Sequence, residues 1–447
     1  MSSGIAVAAP ILPPQGPATE PVAIYIHWPW CKAKCPYCDF NSHTGTVHEQ
    51  SYIDGVLNEL RGWGAGRVIG AYKINPFNPL NRRVGSVFFG GGTPSLISAA
   101  NLRQVIDSCR ELGTFTDDTE ITVECNPTSF DEERPAGAFF SDLKAAGVTR
   151  VSIGIQGLKP EWLAFLGRTH RVEEALATLD AAQSVFDNVN ADVIYGLPEQ
   201  ALGEWTKQLE SLSERGLAHI SAYQLTIEQN TRFFKDVKNG LWEPISGDIE
   251  ADFFEATRET LIATGYENYE ISNFAKSGKA CRHNLQVWRY GEYLGIGAGA
   301  HGRVRTSDGL TMATQIVRQP EGYLRRVKSG EDCVSQAVVL NSAETAQEAV
   351  FSGLRLAEGC DMEWVRKHVE IPAYQEGIST PEVAFLVESG FLEWHGNHLR
   401  LTSMGWPRLN SVLQRVLRPL TPPTPPSNRE SGDTPNAYTS GISVSIV

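Results

Sequence analysis

The sequence predicts an α/β fold built on a parallel sheet, and three observations carry that expectation. Six short apolar runs rich in β-branched residues alternate with amphipathic segments between Ala23 and about Gln224. Cys31 to Phe40, Gly90 to Pro94, Glu124, Gln156 and Asp192 all fall at or just beyond the C-terminal ends of successive runs. That edge is where ligands bind in parallel α/β folds, because the loops there converge.

The six candidate strands are Ala23 to Ile26, Ser86 to Phe89, Glu120 to Cys125, Arg150 to Ile155, Asn190 to Ile194 and His219 to Gln224. Between them lie helical patterns at Glu49 to Arg61, Leu102 to Leu112, Val172 to Val185 and Glu204 to Glu214, whose apolar residues recur at three and four. Strand, crossover helix and strand implies parallel pairing. A doubly wound sheet and an open part of a (βα) barrel both satisfy this periodicity. The polar stretch Gly62 to Val84 reads as an insertion without an assigned role.

At 447 residues the chain exceeds the usual single-domain size, so an appended module is expected. Residues 1–20, rich in Ala, Pro and Gly and broken by Pro10, Pro13 and Pro14, read as a flexible segment rather than a secretory signal. A core domain is expected over 21–265, with a further helix at Asp248 to Thr264, and a connecting segment over 266–341. The span 342–417 has helical patterns at Glu344 to Leu356 and Met362 to Val369, then a hairpin of Phe391 to Trp394 and His398 to Thr402 about Gly396-Asn397. Helices followed by a hairpin predict a helical, winged-helix-like module. Residues 418–447 are Pro, Ser and Thr rich and read as a disordered tail.

The net charge of -13 opposes the counterion-release attraction of nucleic acid, so no DNA or RNA partner is expected, and the winged-helix-like module is read as structural or partner-docking. No apolar run reaches the roughly eighteen residues of a membrane span. Eight cysteines are too sparse for a disulfide scaffold, and three of them crowd into eight residues. Such crowding reads as metal ligation in a soluble, cytoplasmic protein.

Those three are Cys31, Cys35 and Cys38, within Tyr25-Ile26-His27-Trp28-Pro29-Trp30-Cys31-Lys32-Ala33-Lys34-Cys35-Pro36-Tyr37-Cys38-Asp39-Phe40. Three thiolates on one loop can each take a separate iron of a cubane cluster and leave the fourth iron open to a ligand. The alternative is zinc completed by His27 or His43, although zinc sites usually pair thiols as C-x2-C. Gly90-Gly91-Gly92-Thr93-Pro94 at a strand end permits close backbone approach to a ligand, and equally reads as a tight turn. Gly297-Ala298-Gly299-Ala300-His301-Gly302 fits a dinucleotide-binding pattern, but no helix start follows it, and a close-packed glycine turn is the better account.

The C-x3-C-x2-C loop directly after the first strand resembles that of the radical S-adenosylmethionine superfamily. The resemblance implies a partial (βα)6 TIM-like barrel, a [4Fe–4S] cluster on Cys31, Cys35 and Cys38, and S-adenosyl-L-methionine held on the open iron. In that superfamily one electron from the cluster cleaves the carbon–sulfur bond to give a 5′-deoxyadenosyl radical, which here implies an electron donor as partner. By the same resemblance Gly91, Gly92 and Thr93 form the glycine motif, and Tyr25, Tyr37, Glu124, Gln156, Arg168 and Asp192 match cofactor-contacting positions.

Ile24-Tyr25-Ile26-His27, Ser152-Ile153-Gly154-Ile155-Gln156 and Asp192-Val193-Ile194-Tyr195-Gly196-Leu197-Pro198 further resemble the oxygen-independent coproporphyrinogen III oxidase family, over roughly residues 22 to 415. Oxidases of that family carry a fourth cysteine two residues after the third, where this chain has Phe40. Cys38-Asp39-Phe40 is similar instead to the heme-chaperone subgroup, HemW, also marked by an H-N-x-x-Y-W motif tied to heme binding. The chain reads Cys281-Arg282-His283-Asn284-Leu285-Gln286-Val287-Trp288, with Val287 where tyrosine is expected. The resemblance implies heme as cargo, bound near His283 and passed to an apo-hemoprotein. A neutral imidazole is a good iron ligand, and the alternative for His283 is a histidine bonded to a nearby backbone group. Cys281 reads as a packed free thiol. The rival function is decarboxylation of coproporphyrinogen III by radical chemistry.

Overall fold

The computed structural model describes residues 20–77, 82–131, 133–370 and 377–418. The expected flexible segment 1–20 and disordered tail 418–447 lie outside the described residues, apart from Glu20 and Arg418 at their inner ends.

The six expected runs form strands β1 (Val22–Trp28), β2 (Val84–Gly91), β3 (Glu120–Cys125), β4 (Arg150–Gln156), β5 (Val189–Tyr195) and β6 (His219–Gln224). They pair in that order and all in parallel. Burial on both faces explains why they read as continuous apolar runs rather than as alternating ones; in β1, Val22, Ala23, Ile24, Ile26, His27 and Trp28 are all buried. The crossovers are helices α1 (Glu49–Ala65), α2 (Ala99–Leu112), α3 (Ala136–Ala146), α4 (Val172–Gln183) and α5 (Leu202–Glu214), with α6 (Gly247–Ala263) after β6. Helix α2 shows why: the Ser98 hydroxyl accepts from the Asn101 N–H at its start, and Leu102, Val105, Ile106, Cys109 and Leu112 form its buried stripe. Within the insertion, Arg67–Ile69 and Tyr72–Ile74 form a small hairpin; residues 78–81 lie outside the described part.

The segment 266–341, read from the sequence as a connector, instead contributes six strands to the main sheet: β7 (Glu267–Glu270), β8 (Asn273–Ala275), β9 (Tyr293–Ile296), β10 (His301–Arg305), β11 (Thr311–Ile316) and β12 (Val334–Val339). Among the described residues the sheet runs β12-β11-β10-β9-β1-β2-β3-β4-β5-β6-β8-β7. Strand β9 is a seventh parallel strand, on the free side of β1. The other five pair antiparallel and flank the parallel block.

The glycine-rich turn between β9 and β10 is a close-packing device. Gly297 and Gly299 have φ of +91° and +82°, and a Cβ on Gly297 would lie 2.6 Å from the Tyr52 hydroxyl and 2.7 Å from the His27 carbonyl oxygen. A strand follows it, not the helix that a dinucleotide site needs.

Helix α7 (Arg282–Trp288) precedes β9, and helix α8 (Ser342–Gly353) opens the C-terminal module behind a capping box of Asn341 and Glu344. The module continues with helices Met362–His368, Thr380–Glu388 and Leu409–Val416 around a small sheet of Cys360–Asp361, His398–Leu401 and Leu392–His395. The hairpin turns at Gly396-Asn397 as expected, with His395 opposite His398. The module has its own apolar core, which takes in Phe254 of α6 and Tyr290 after α7. Glu348 seats it on the sheet: its carboxylate accepts from Arg303 Nε at 2.8 Å and from the Tyr290 hydroxyl at 2.9 Å, and both ion-pair side chains are nearly buried. The Ala357 N–H donates to the Tyr269 carbonyl at 3.0 Å and the Ile271 N–H to the Arg355 carbonyl at 3.1 Å.

Candidate functional site

A cleft of about 910 Å³ runs along the C-terminal ends of β1 to β6 and continues to the C-terminal module. Cys31, Cys35, Tyr37, Cys38, Gly91, Gly92, Thr93, Glu124, Gln156, Arg168 and Asp192 all line it. Two of the expected cofactor positions do not. Tyr25 points to the neighbouring histidine, its hydroxyl 3.0 Å from His27 Nδ1, and His283 lies behind the wall.

The cysteine loop is held by its own backbone and by lysine. The Cys31 N–H donates to the His43 carbonyl at 2.9 Å and the His43 N–H to the Pro29 carbonyl at 2.7 Å, which closes the loop at its base. Lys34 Nζ donates to the carbonyls of Phe40 and Ser42, at 2.9 and 3.0 Å. Of the two imidazoles that would complete a zinc site, His27 has both ring nitrogens engaged and His43 has one. His27 Nε2 lies 2.9 Å from the Asn41 carbonyl oxygen and its Nδ1 faces Tyr25, while His43 Nε2 lies 3.1 Å from Asn41 Oδ1. Among the described residues no three His, Cys, Asp or Glu side chains close on a point that could hold one metal ion. The three thiols instead share one cavity wall, which suits a cluster whose irons each take one thiolate. Burial pushes the Cys31 and Cys38 thiols up, so metal loading must displace their protons.

The glycine motif packs against the entry to that loop. The Gly92 N–H donates to the Trp28 carbonyl at 2.6 Å and the Thr93 N–H to the Trp30 carbonyl at 2.8 Å. A Cβ on Gly92 would sit 2.5 Å from the Trp30 carbonyl oxygen, and Gly91, at φ +111°, would direct one at 2.6 Å into the His27 ring. Gly92→Ala is therefore expected to lower stability by about 1–3 kcal/mol through backbone displacement and to reduce iron loading. Gly137→Ala in α3, where a Cβ meets nothing within 4 Å, is expected to raise stability by about 0.5–1 kcal/mol. Thermal denaturation with iron analysis checks both signs.

On the opposite wall Gln156 has φ +63°, rare for a residue with a side chain, at an irregularity in the β4–β5 register. Gly154 leaves room for it: a Cβ there would lie 2.8 Å from Gln156 Nε2 and 3.6 Å from Arg168 Nη2. Arg168 donates from Nη1 to Cys35 Sγ at 3.4 Å and from Nη2 to the Gly154 carbonyl at 3.0 Å. Asp192 accepts from the Ser152 hydroxyl at 2.9 Å and from Asn190 Nδ2 at 2.8 Å. Glu124 accepts from the Gly91 N–H at 3.2 Å. Burial, and then the charge of Asp192, push its carboxyl up to about 8. The buried Arg150 guanidinium offsets part of that rise at both Glu124 and Asp192, and a cationic ligand in the cleft would offset more. Tyr37 stands between the Cys35 side and Phe233, its ring 6.2 Å from that phenyl ring, and burial pushes its hydroxyl up.

His283 is 4% exposed, its Nδ1 3.0 Å from the Ser86 hydroxyl and its ring stacked on Phe88 at 4.9 Å. Burial lowers its pKa to about 3, so the ring is neutral. In this conformation it anchors α7 against β2, and the same helix turns Asn284 and Trp288 into the cleft. Cys281 is a packed thiol that donates to Glu120 Oε1 at 3.3 Å, and burial pushes it up to about 12. Glu120 also accepts from the N–H of Arg282 at 3.0 Å.

Sequence reading missed the far wall of the cleft, formed by Glu270, Phe351, Arg355 and Trp406. They come from β7, α8 and its following turn, and the C-terminal module, and only tertiary packing brings them together; no local motif marks them.

Residues 25–212 match the Radical SAM superfamily and residues 340–408 the HemN C-terminal domain. The chain is 36% identical over 405 residues to the heme chaperone HemW of Escherichia coli (strain K12), covering 89% of this chain and 98% of that one. It is 38% identical over 411 residues to that of Haemophilus influenzae, covering 90% and 99%. With the mitochondrial radical S-adenosyl methionine domain-containing protein 1 of Bos taurus it shares 34% identity over 411 residues, covering 90% and 89%. In structure it is similar to coproporphyrinogen III oxidase (HemN) from Escherichia coli, with a TM-score of 0.71 at 19% identity over 89% of this chain and 90% of that one. The fold is therefore the radical S-adenosylmethionine α/β fold with a HemN-like C-terminal module.

Proposed function

Given that the chain belongs to the radical S-adenosylmethionine superfamily, in the family that contains the heme chaperone HemW proteins, we propose that it binds heme and delivers it to an apo-hemoprotein. The observation that carries this reading is similarity along almost the whole length to proteins named heme chaperone HemW. Phe40 supports it: at the position of the oxidases' fourth cysteine it is a 43% exposed ring on the cleft wall and offers no thiolate.

In this reading Cys31, Cys35 and Cys38 hold a [4Fe–4S] cluster and the adjoining wall holds S-adenosyl-L-methionine. When bound, the cluster supplies one electron, from an external donor, to the carbon–sulfur bond of that ligand. The chain's own residues do the positioning. Glu124 and Asp192 attract the cationic end of the ligand. The turn Gly91-Gly92-Thr93 offers backbone groups unobstructed by a Cβ, and Gln156 and Arg168 present amide and guanidinium N–H groups to carboxylate oxygens. All eight cysteines are unpaired, in keeping with a reducing setting, which we take to be the cytoplasm. Among the described residues no helix is long and apolar enough to cross a membrane.

We place the heme against α7, where Trp288 offers an aromatic face. For His283 to ligate the iron, its ring must leave Ser86 and Phe88. Heme titration of the anaerobically reconstituted protein, followed at the Soret band, tests this. The expected result is saturable binding that His283→Ala weakens. A moved Soret maximum in the variant identifies ligation; an unmoved one identifies loss of support for α7. Absence of saturable binding would sink the chaperone reading in favour of decarboxylation of coproporphyrinogen III, assayed with S-adenosylmethionine and a reductant.

A further inference from the structure

We propose that the far end of the cleft, where the C-terminal module meets the sheet, is a carboxylate-binding subsite built on Arg355 that holds the propionate arms of the tetrapyrrole. The inference rests on the heme-binding reading and assigns the acidic end of that ligand.

Arg355 and Glu270 form an incomplete pair on the cleft wall. Arg355 Nη2 stands 3.9 Å from Glu270 Oε2, beyond hydrogen-bond length. Arg355 Nε and Glu270 Oε2 are both buried and have no hydrogen-bond partner. Glu270, 1% exposed, uses its other oxygen to accept from the Ser272 N–H at 2.9 Å and from Asn273 Nδ2. One oxygen of that carboxylate is committed to shaping the β7–β8 turn and the other stands too far from Arg355 to accept a hydrogen bond, so the guanidinium retains donors for another acceptor. Arg355 is half-buried, and its buried Nε–H left without an acceptor is costly unless something completes it; a carboxylate matches the fork geometry of the guanidinium.

The surroundings fit a flat aromatic acid better than a small anion. The Arg355 guanidinium lies 4.3 Å from the centre of the Trp288 ring, which fixes its plane beside the cleft. Phe351 and Trp406 add apolar surface on the same wall, and Arg408 brings a second, exposed guanidinium to the rim. An aromatic macrocycle with two carboxylate arms matches aromatic faces edged by two cations. The methionine carboxylate of S-adenosylmethionine shares the acid chemistry but lacks the macrocycle.

The full-length protein is titrated with protoporphyrin IX and with its dimethyl ester, both metal-free so that axial ligation plays no part. The unmodified chain is expected to prefer the diacid by about tenfold or more, the worth of one charge-assisted hydrogen bond. Arg355→Gln should remove that preference, read as the ratio of diacid to ester affinity within the variant, and Arg355→Lys should keep part of it. Equal affinity of the unmodified chain for diacid and ester would overturn the proposal without needing any variant to fold. So would a diacid preference that survives Arg355→Gln. Affinity for S-adenosylmethionine should be the same in the variant; its loss, with the diacid preference intact, would assign the subsite to that ligand instead. Binding of neither porphyrin would remove the heme reading and this site together, an outcome distinct from binding without discrimination.

Discussion

Replacing Cys35 by serine abolishes the broad iron–sulfur absorption of the anaerobically reconstituted protein and leaves it without stoichiometric iron and sulfide. The expectation follows from one thiolate per iron: a hydroxyl is a harder and far less acidic ligand than a thiol. No neighbouring cysteine is placed to substitute. Cys125 reaches the same cleft but is 4% exposed, and burial pushes its thiol far up. Cys109, Cys281, Cys333 and Cys360 are packed in the interior. Cys125→Ser should accordingly keep the full absorption. Cys35→Ser with unchanged absorption, iron and sulfide would refute the assignment of the cluster to this loop.

The near wall of the site was legible in the sequence because its chemistry is local. Three thiols in eight residues, three glycines at a strand end and single polar residues closing buried apolar runs are each visible without knowing what they face. The parallel strands were legible for the same reason: β1 to β6 are buried on both faces, so their runs stand out from the amphipathic helices. The outer strands were not. Strand β7 reads Glu-Asn-Tyr-Glu, and β10 alternates buried Gly302 and Val304 with the half-buried His301, Arg303 and Arg305. Flanking strands of this kind lack the continuous apolar signal, and the one parallel strand of the segment, β9, is a buried run of only four residues, Tyr293–Ile296, so 266–341 reads as a connector.

His283 shows the opposite limit. Its motif is visible, but its role depends on Ser86 and Phe88, distant in sequence and adjacent across α7 and β2. The same holds for Arg355, whose partners Glu270 and Trp288 lie in other elements. A pairing made only by tertiary packing leaves no spacing to read.

The affinity for S-adenosylmethionine should rise steeply with pH, and Glu124 is the reason. In the ligand-free protein its carboxyl sits at about 8, raised first by burial and then by Asp192. At pH 6 it is protonated and offers a cationic ligand no charge, so binding must first expel the proton. Each pH unit below 8 should therefore weaken binding by up to about tenfold, levelling off above 8. Stability of the ligand-free protein runs the other way. The folded-state pKa is raised above the unfolded value, so this group's contribution is fully present near pH 4 and is lost as pH rises through 8. Added S-adenosylmethionine should thus raise Tm more at pH 9 than at pH 6. Calorimetric titration in two buffers of different ionisation enthalpy measures the released proton directly at pH 7. Glu124→Gln should flatten the pH dependence and abolish the proton release; a variant that keeps both would move the titrating group elsewhere on the wall, with Asp192 the next carboxyl to test.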